Sequence, residues 1–437
     1  MTILIASTNW WPNAARLAIA LKKAGARIAV VCPAGNPVLK TRAVSSRFRY
    51  GAFNPQASLE HAIAESNPDY IIPTDEYAVQ HIHGLYAKAI WEGVRGSRTQ
   101  SLIETSMGTP EGYSSVHSRG RIMEIAREED ILIPDWMAIT SPADLEVWGA
   151  RQGFPWVIKS DGTCAGTGVR IVSSITEARK ACRALVGQPS LATAAKRLFA
   201  NRDPFPMRTW LDRTRPSLTV QSFVPGSPAN CAVVCWKGEV LAGFSVAVDI
   251  AQHPTGAASV VRIVDNPGML RAAERIARRL GISGFCGLDF MLDSQTGDAH
   301  FVELNPRATQ LCHLPLGPGR DLTAAFYARL SSAAVTEPAC AADGDRVAIF
   351  PNAWRQGVGR EVMDSSYQDV PWGEPGLISE LVKPHWPDRR VLNLTFELVR
   401  NLLTQRSNMS KYFTYRGTAK GDADPSCQSQ RGPAIVR

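Results

Sequence analysis

Residues 285–307 read FCGLDFMLDSQTGDAHFVELNPR, and the rest of the chain is organised around this stretch. Apolar residues run from Phe285 to Leu292 and again from Ala299 to Leu304. Between them Asp293 to Asp298 are turn formers, so the segment predicts a two-stranded antiparallel hairpin. If Asp293 pairs with Ala299, paired numbers keep a constant sum and Asp289 falls opposite Glu303. Side chains alternate between faces, so Glu303 and Asn305 share one face with Asp289, while Phe290, Val302 and Leu304 share the other. One face is apolar and the other is a row of oxygen ligands.

Two carboxylates and an amide on one face suit Mg2+, which takes oxygen ligands and bridges protein carboxylates to a nucleotide's phosphates. Arg307 follows Asn305 by two residues and can pair with an anion brought to the same place. A merely solvated hairpin would not require these residue types together.

Upstream, Pro267 to Leu280 has the apolar spacing of a helix, with Leu270, Ala273, Ala277 and Leu280 inward and Gly281 as its stop. Gly153 to Lys159 is a strand that ends on a lysine. Residues 160–168, SDGTCAGTG, then form a loop of small residues before the strand Val169 to Val172. Such a loop lets backbone N–H groups approach phosphate, and Lys159 can meet the same phosphates as a point charge. A flexible hairpin tip has the same composition, so the loop by itself decides nothing. Leu218 to Val224 is a strand broken by Pro225 and Gly226, and Cys231 to Cys235 and Val240 to Val248 continue a sheet. Ser118 caps a helix reaching about Asp130, and Ser174 with Glu177 opens another. Residues 188–216 carry Lys196, Arg197, Arg202, Arg208, Arg213 and Arg215. They read first as a solvated insertion and second as a lid over an anionic substrate.

The chain opens with a strand (Thr2 to Ala6), a helix from about Pro12 to Ala24, and a second strand (Arg27 to Cys32), which implies a parallel α/β sheet. Asp69 to Thr74 is a further strand running into the acidic turn Asp75–Glu76. No Gly-x-Gly-x-x-Gly follows the first strand, so no dinucleotide cofactor is expected there.

A chain of 437 residues has room for two or three cores. Its net charge of +8, from 48 basic and 40 acidic residues, is spread without a basic arm, so no nucleic-acid partner is expected. Nine cysteines without a Cys-x-x-Cys pair read as reduced thiols of a cytoplasmic protein. The start, MTILIAS, lacks a basic n-region and no run of 18 apolar residues occurs, so neither export nor a membrane span is expected. The expected architecture is an α/β open-sheet domain over residues 1–112 and an α+β domain over 113–335. A small C-terminal α+β region over 336–415 and a disordered tail over 416–437 follow.

The order of these parts resembles the ATP-grasp superfamily, and within it the biotin carboxylase and carbamoyl-phosphate synthetase type. The likeness rests on Leu288 to Met291 followed by Phe301 to Arg307, and on the Gly-rich loop. The resemblance implies two subdomains that clamp ATP and a carboxylate substrate activated as an acyl phosphate before an amine attacks it. It carries metal roles to Asp289, Glu303 and Asn305 for Mg2+, with Mn2+ as a substitute, and an anion-stabilising role to Arg307. It gives phosphate contacts to Lys159, to Arg119 and to the loop with Gly162, Thr163, Gly166, Thr167 and Gly168. Adenine would lie along Gln221, Phe223 and Val224, and the ribose near Asn230. A lysine is commoner in the family where Arg119 stands, and a glutamate where Gln221 stands. The catalytic lysine of biotin carboxylase has no counterpart in Ala258 to Arg262, and no biotinyl domain follows, so bicarbonate activation is not implied. The expectation is therefore an ATP-dependent carboxylate–amine ligase acting on small molecules, with a homodimer compatible. A kinase-like phosphotransferase and a non-catalytic nucleotide-binding protein are the alternatives. His313 is a minor candidate for the same site.

Overall fold

Four parallel strands open the chain: β1 (Thr2–Ala6), β2 (Arg27–Cys32), β3 (Val44–Arg49) and β4 (Tyr70–Pro73), in the order β3-β2-β1-β4. The computed structural model describes residues 1–383 apart from 92, 94–95, 163–165, 167, 188–189, 201–206, 208–209, 212–215 and 333–344, and the side chains of 197–200. Both faces of the opening sheet are covered, which is why its strands read as unbroken apolar runs. Ile3 and Ile5 pack on the side of the helix Asn13–Ala24, whereas Leu4 and Ala6 pack on the side of Pro55–Ser66 and Glu76–Trp91.

A four-stranded antiparallel sheet follows, with β5 (Trp136–Ile139), β6 (Trp156–Ser160), β7 (Val169–Val172) and β8 (Leu218–Ser222) in the order β5-β8-β6-β7. One face buries Trp156, Ile158 and Val220 against Leu145 and Trp148 of one helix and Ala178 and Ala181 of another.

The third sheet is the largest: β9 (Gly226–Trp236), β10 (Glu239–Ala251), β11 (Ala258–Val264), β12 (Gly284–Asp293), β13 (Ala299–Asn305), β14 (Arg346–Ile349) and β15 (Tyr367–Asp369). Its order is β13-β12-β9-β10-β11-β14-β15. On one face Cys231, Val233 and Phe290 pack under the helix Pro267–Leu280, whose apolar side is Met269, Ala273, Ile276 and Leu280. The opposite face carries Ala232, Val234, Phe244 and Phe285 into the same core as β1 and β2 of the opening sheet. Tyr70 of β4 and Phe326 stack edge to face at 4.7 Å within that shared core. The open-sheet domain therefore leans on the central sheet beside the expected metal-binding hairpin.

Beyond residue 336 the described strands β14 and β15 extend the central sheet next to β11. That part of the C-terminal region thus builds on the middle domain. The basic segment contains a helix, Leu191–Ala200, that its Pro and Arg content did not suggest. Arg202, Arg208, Arg213 and Arg215, and the tail, lie outside the described residues. None of the described helices is long and apolar enough to cross a membrane.

Candidate nucleotide and metal site

The hairpin forms from β12 and β13, and Asp289 faces Glu303 across it while Gly287 faces Asn305. Near the turn the expected register is wrong by one residue: Leu292, not Asp293, pairs with Ala299. A bulge between Asp289 and Phe290 takes up Val302 as the extra residue and restores the register at the acids. The bulge also changes the apolar face. Phe301, rather than Val302, meets Phe290, with ring centroids 5.7 Å apart. The Val302 carbonyl instead accepts a hydrogen bond from Lys159 Nζ at 3.4 Å, so the lysine of the small sheet reaches across to the hairpin.

The charged groups on this face are joined in one network, while Asn230 Oδ1 is buried without a partner. Asp289 accepts from Asn230 Nδ2 at 2.6 Å and from Asn305 Nδ2 at 2.9 Å. Asn305 Oδ1 accepts from Arg307 Nη2 at 3.0 Å, and Arg307 Nε donates to Glu76 Oε1 at 3.0 Å. The Arg307 guanidinium also lies 5.4 Å from the Trp11 ring centroid. At the other end Arg119 donates from Nη2 to Glu303 Oε1 at 2.6 Å and from Nη1 to the Ser160 carbonyl at 3.0 Å. Ser118 caps the helix that presents Arg119, as the sequence implies. Asp75, just before Glu76, ties down the loop after β1 by accepting from Thr8 N and Thr8 Oγ1, both at 2.6 Å.

Burial sets the electrostatics. It pushes the Asp289 carboxyl above its ordinary range, and the charge of Glu303 adds to this, outweighing the Asn230 and Asn305 bonds and Arg307. Burial likewise raises Glu76 against the pull of Arg307. Lys159 is lowered to about 8 by burial and then by Arg119, with Glu303 and Asp289 opposing. For Arg119 burial works against the charge, but Glu303 prevails and the group is held more firmly cationic. A cation between Asp289 and Glu303 would relieve the strain on the pair. Among the described residues no three His, Cys, Asp or Glu side chains converge as a ready metal cage. Two carboxylates and an amide fit an ion that takes its remaining ligands from phosphate and water.

The opposing wall is the face of the small sheet not covered by its helices. Lys159 pairs with Thr219, and Gln221 pairs with Val157 on one side and Trp136 on the other, so these side chains line one surface. Three of their polar atoms are buried without any partner: Thr219 Oγ1, Gln221 Nε2 and Trp136 Nε1. Among the described residues no hydrogen bond engages the backbone of Phe223 or Val224, in the linker between the two sheets. Orphaned buried polar atoms are uncommon in finished protein cores, and here three lie on one face of the small sheet. A Cβ on Gly166, which has φ +73°, would lie 1.8 Å from the Thr255 carbonyl, so the Gly-rich loop touches the turn between β10 and β11. Gly162 lies at the edge of a small cavity with Glu76, His117, Arg119, Asp161 and Glu303. Ser160 N donates to the Gly168 carbonyl at 3.0 Å, which closes the base of the loop. Thr163 and Thr167 lie outside the described residues. A wider depression between Asp130 and Asp298 shares none of these side chains.

Two sequence candidates sit differently from their expected roles. Asn230 engages Asp289 from the adjacent strand, which places its amide among the carboxylates. His313 is buried with Asp369 at 2.8 Å and with Arg16, joining the first helix to β15. Glu76 and Trp11 were not singled out from the sequence. The available signal was their place after strands of a parallel sheet, at the carboxyl edge where such sheets hold ligands.

A family model described as an ATP-grasp domain matches residues 140–310. Among solved structures, a biotin carboxylase complex from Campylobacter jejuni is 14% identical with a TM-score of 0.54, covering 76% of this chain and 71% of that one. N5-carboxyaminoimidazole synthase from Aspergillus clavatus, in complex with ADP and 5-aminoimidazole ribonucleotide, is 15% identical with a TM-score of 0.53, covering 77% and 78%. An L-amino acid ligase from Bacillus licheniformis is 13% identical with a TM-score of 0.51, covering 75% of each chain. At these identities the likeness establishes the fold.

Proposed function

We propose that this chain, which carries an ATP-grasp domain, is an ATP-dependent ligase that joins a small carboxylate to an amine through an acyl phosphate. The observation that carries the reading is the meeting of Asp289 and Glu303 across one hairpin with Lys159 reaching in from the opposing sheet. In this reading Asp289, Glu303 and Asn305 hold Mg2+, which supplies charge neutralisation at the terminal phosphate. Lys159, Arg119 and the loop with Gly162, Gly166 and Gly168 hold the phosphates. Gln221 and the backbone of Phe223 and Val224 hold the base. Thr163 and Thr167 belong to the same loop and take the same role here.

A carboxylate oxygen attacks the γ-phosphorus and ADP leaves, giving the acyl phosphate. The amine nitrogen then attacks the acyl carbon, phosphate leaves with the bonding electrons, and the nitrogen loses a proton. Arg307 is held by Glu76 and Asn305, and in this reading it stabilises charge developing on the transferred group. The described cysteines are free thiols, which suits a reducing compartment. Turnover is tested by screening small carboxylates and amines, singly and in pairs, for ADP and phosphate release. The ligase reading requires ADP that appears fully only when an acid and an amine are both present. ADP formed with a single acceptor that keeps the phosphate would replace it with a phosphotransferase.

A further inference from the structure

His83 Nδ1 stands 2.8 Å from His117 Nε2, at a cavity lined by both the hairpin and the open-sheet domain. Glu76, Gln80 and His83 fall at i, i+4 and i+7 on the helix Glu76–Trp91, so they share one of its faces. His83 lies flat against Tyr113, with ring centroids 3.9 Å apart. His117 ends the short turn Ser115–His117 and lines the cavity together with Glu76, Gln80, Gly162 and Glu303. Its other nitrogen, Nδ1, takes part in no hydrogen bond among the described residues.

The other titratable side chains of the cavity are committed. Glu76 is paired with Arg307, Glu303 with Arg119, and Asp161 lies in the field of Arg119. Burial lowers His117, and burial followed by His117 pushes His83 down to about 3, so both rings are neutral at physiological pH. A neutral imidazole with one nitrogen held and the other open is the form a general base requires.

Resting on the ligase reading above, we propose that the amine docks along Glu76, Gln80 and His117, that His117 Nδ1 receives its proton, and that His83 is the positioning residue. In this arrangement His117 Nε2–H donates to His83 Nδ1, which leaves the Nδ1 lone pair for the amine. The free amine attacks the acyl carbon, and the carbon–oxygen bond to phosphate breaks with its electron pair going to phosphate. The N–H proton passes to His117 Nδ1 and from there to water. Glu76, Asp161 and Glu303 stabilise the imidazolium formed, and Arg119 opposes it.

The test uses the whole chain, Mg-ATP and each acid–amine pair that releases ADP in the screen. Hydroxylamine, unprotonated at neutral pH, is the second nucleophile and traps an acyl phosphate as a hydroxamate without a base. His117→Gln keeps an amide N–H for His83 and lacks the ring base. It should form amide about 100-fold or more slowly than wild type. Hydroxamate yield and ATP affinity should stay within about two-fold. Loss of amide and hydroxamate together, or of neither, in a variant that binds ATP overturns the inference. Nitrogen NMR spectra of the wild type decide independently of how the variant folds. His117 Nδ1 must be the unprotonated nitrogen at neutral pH, and a proton found on it overturns the inference as well. Wild-type protein that yields no hydroxamate with any acid of the screen overturns the acyl-phosphate reading itself.

Discussion

Arg119 Nη2 donates to Glu303 Oε1 at 2.6 Å, so a guanidinium occupies a carboxylate that the proposed reading gives to a divalent ion. The arginine is nearly buried, with a side chain 9% exposed, and its second nitrogen is fixed on the Ser160 carbonyl. In that reading metal and arginine compete for one oxygen until phosphates arrive to receive the arginine.

Replacing Arg119 by Met should consequently have opposite effects on two ligands. Mg2+ alone should bind more tightly, because its competitor is gone. ATP should bind about ten-fold or more weaker, because one charge-assisted hydrogen bond to phosphate is lost. Calorimetric titration with each ligand separates the effects, and a parallel loss of both would refute the competition.

Asp289 gives a pH dependence with a definite sign. Its folded value lies above the ordinary carboxylate range, through burial first and Glu303 second. Its contribution to the stability of the metal-free protein is present below the unfolded value and is lost as pH rises through the folded one. Mg2+ binds the ionised form, so added Mg2+ should raise the melting temperature progressively more on the alkaline side of that transition. Asp289→Asn should abolish this Mg2+ response and lower turnover more than about 100-fold, since losing a group that only orients a ligand already costs about 10–100-fold. An unchanged Mg2+ response in the variant would remove Asp289 from the metal site.

Lys159 is lowered from 10.5 to about 8 by burial and then by Arg119, so the free protein loses this cation at mildly alkaline pH. The unfolded chain binds the proton more tightly, so the lysine's contribution to stability rises with pH between those two values. ATP affinity should fall as pH rises above about 8, because the phosphates then meet a neutral amine. Lys159→Arg, which keeps its charge throughout, should flatten that limb in a series of dissociation constants from neutral to alkaline pH. A limb of the same size in Lys159→Arg would assign it to another group.

Much of this site was legible in the sequence because its parts are local. The pattern of Asp289, Glu303 and Asn305 follows from strand alternation over one hairpin, and Ser118 announced the helix that presents Arg119. The bulge at Val302 was not legible, since one extra residue leaves no compositional mark and its effect cancels the shift at the turn. Nor was the Arg307–Glu76 pair, whose members lie 231 residues apart and meet only because the open-sheet domain packs on the central sheet. The unpartnered Gln221 amide is likewise a property of packing, visible only once both walls are in place.

Gly166 and Gly162 both have positive φ, +73° and +70°, but only Gly166 is crowded. A Cβ at Gly162 meets nothing within 4 Å, so Gly162→Ala bears only the conformational cost of about 1–2 kcal/mol. Gly166→Ala must also move the loop off the Thr255 carbonyl. Gly166→Ala should therefore raise the KM for ATP and lower the melting temperature more than Gly162→Ala does. A larger effect at Gly162 would show that the loop does not work against the β10–β11 turn.

His313 tests whether burial or chemistry explains a histidine near the site. Asp369, 1% exposed, accepts from His313 and is paired with Arg16, so one carboxylate anchors the first helix, the segment after Arg307 and β15. Burial works against its charge, but Arg16 and His313 prevail and hold Asp369 below the ordinary range. That stability is present above the unfolded value and is lost as pH falls through the folded one. Removing one partner of a buried pair costs about 3–5 kcal/mol, so Asp369→Asn should lower the urea midpoint clearly at neutral pH. The ATP dissociation constant should stay within about two-fold, because none of the three groups touches the carboxylates or the opposing wall. An Asp369→Asn protein of normal stability but weakened ATP binding or turnover would return His313 to the reaction.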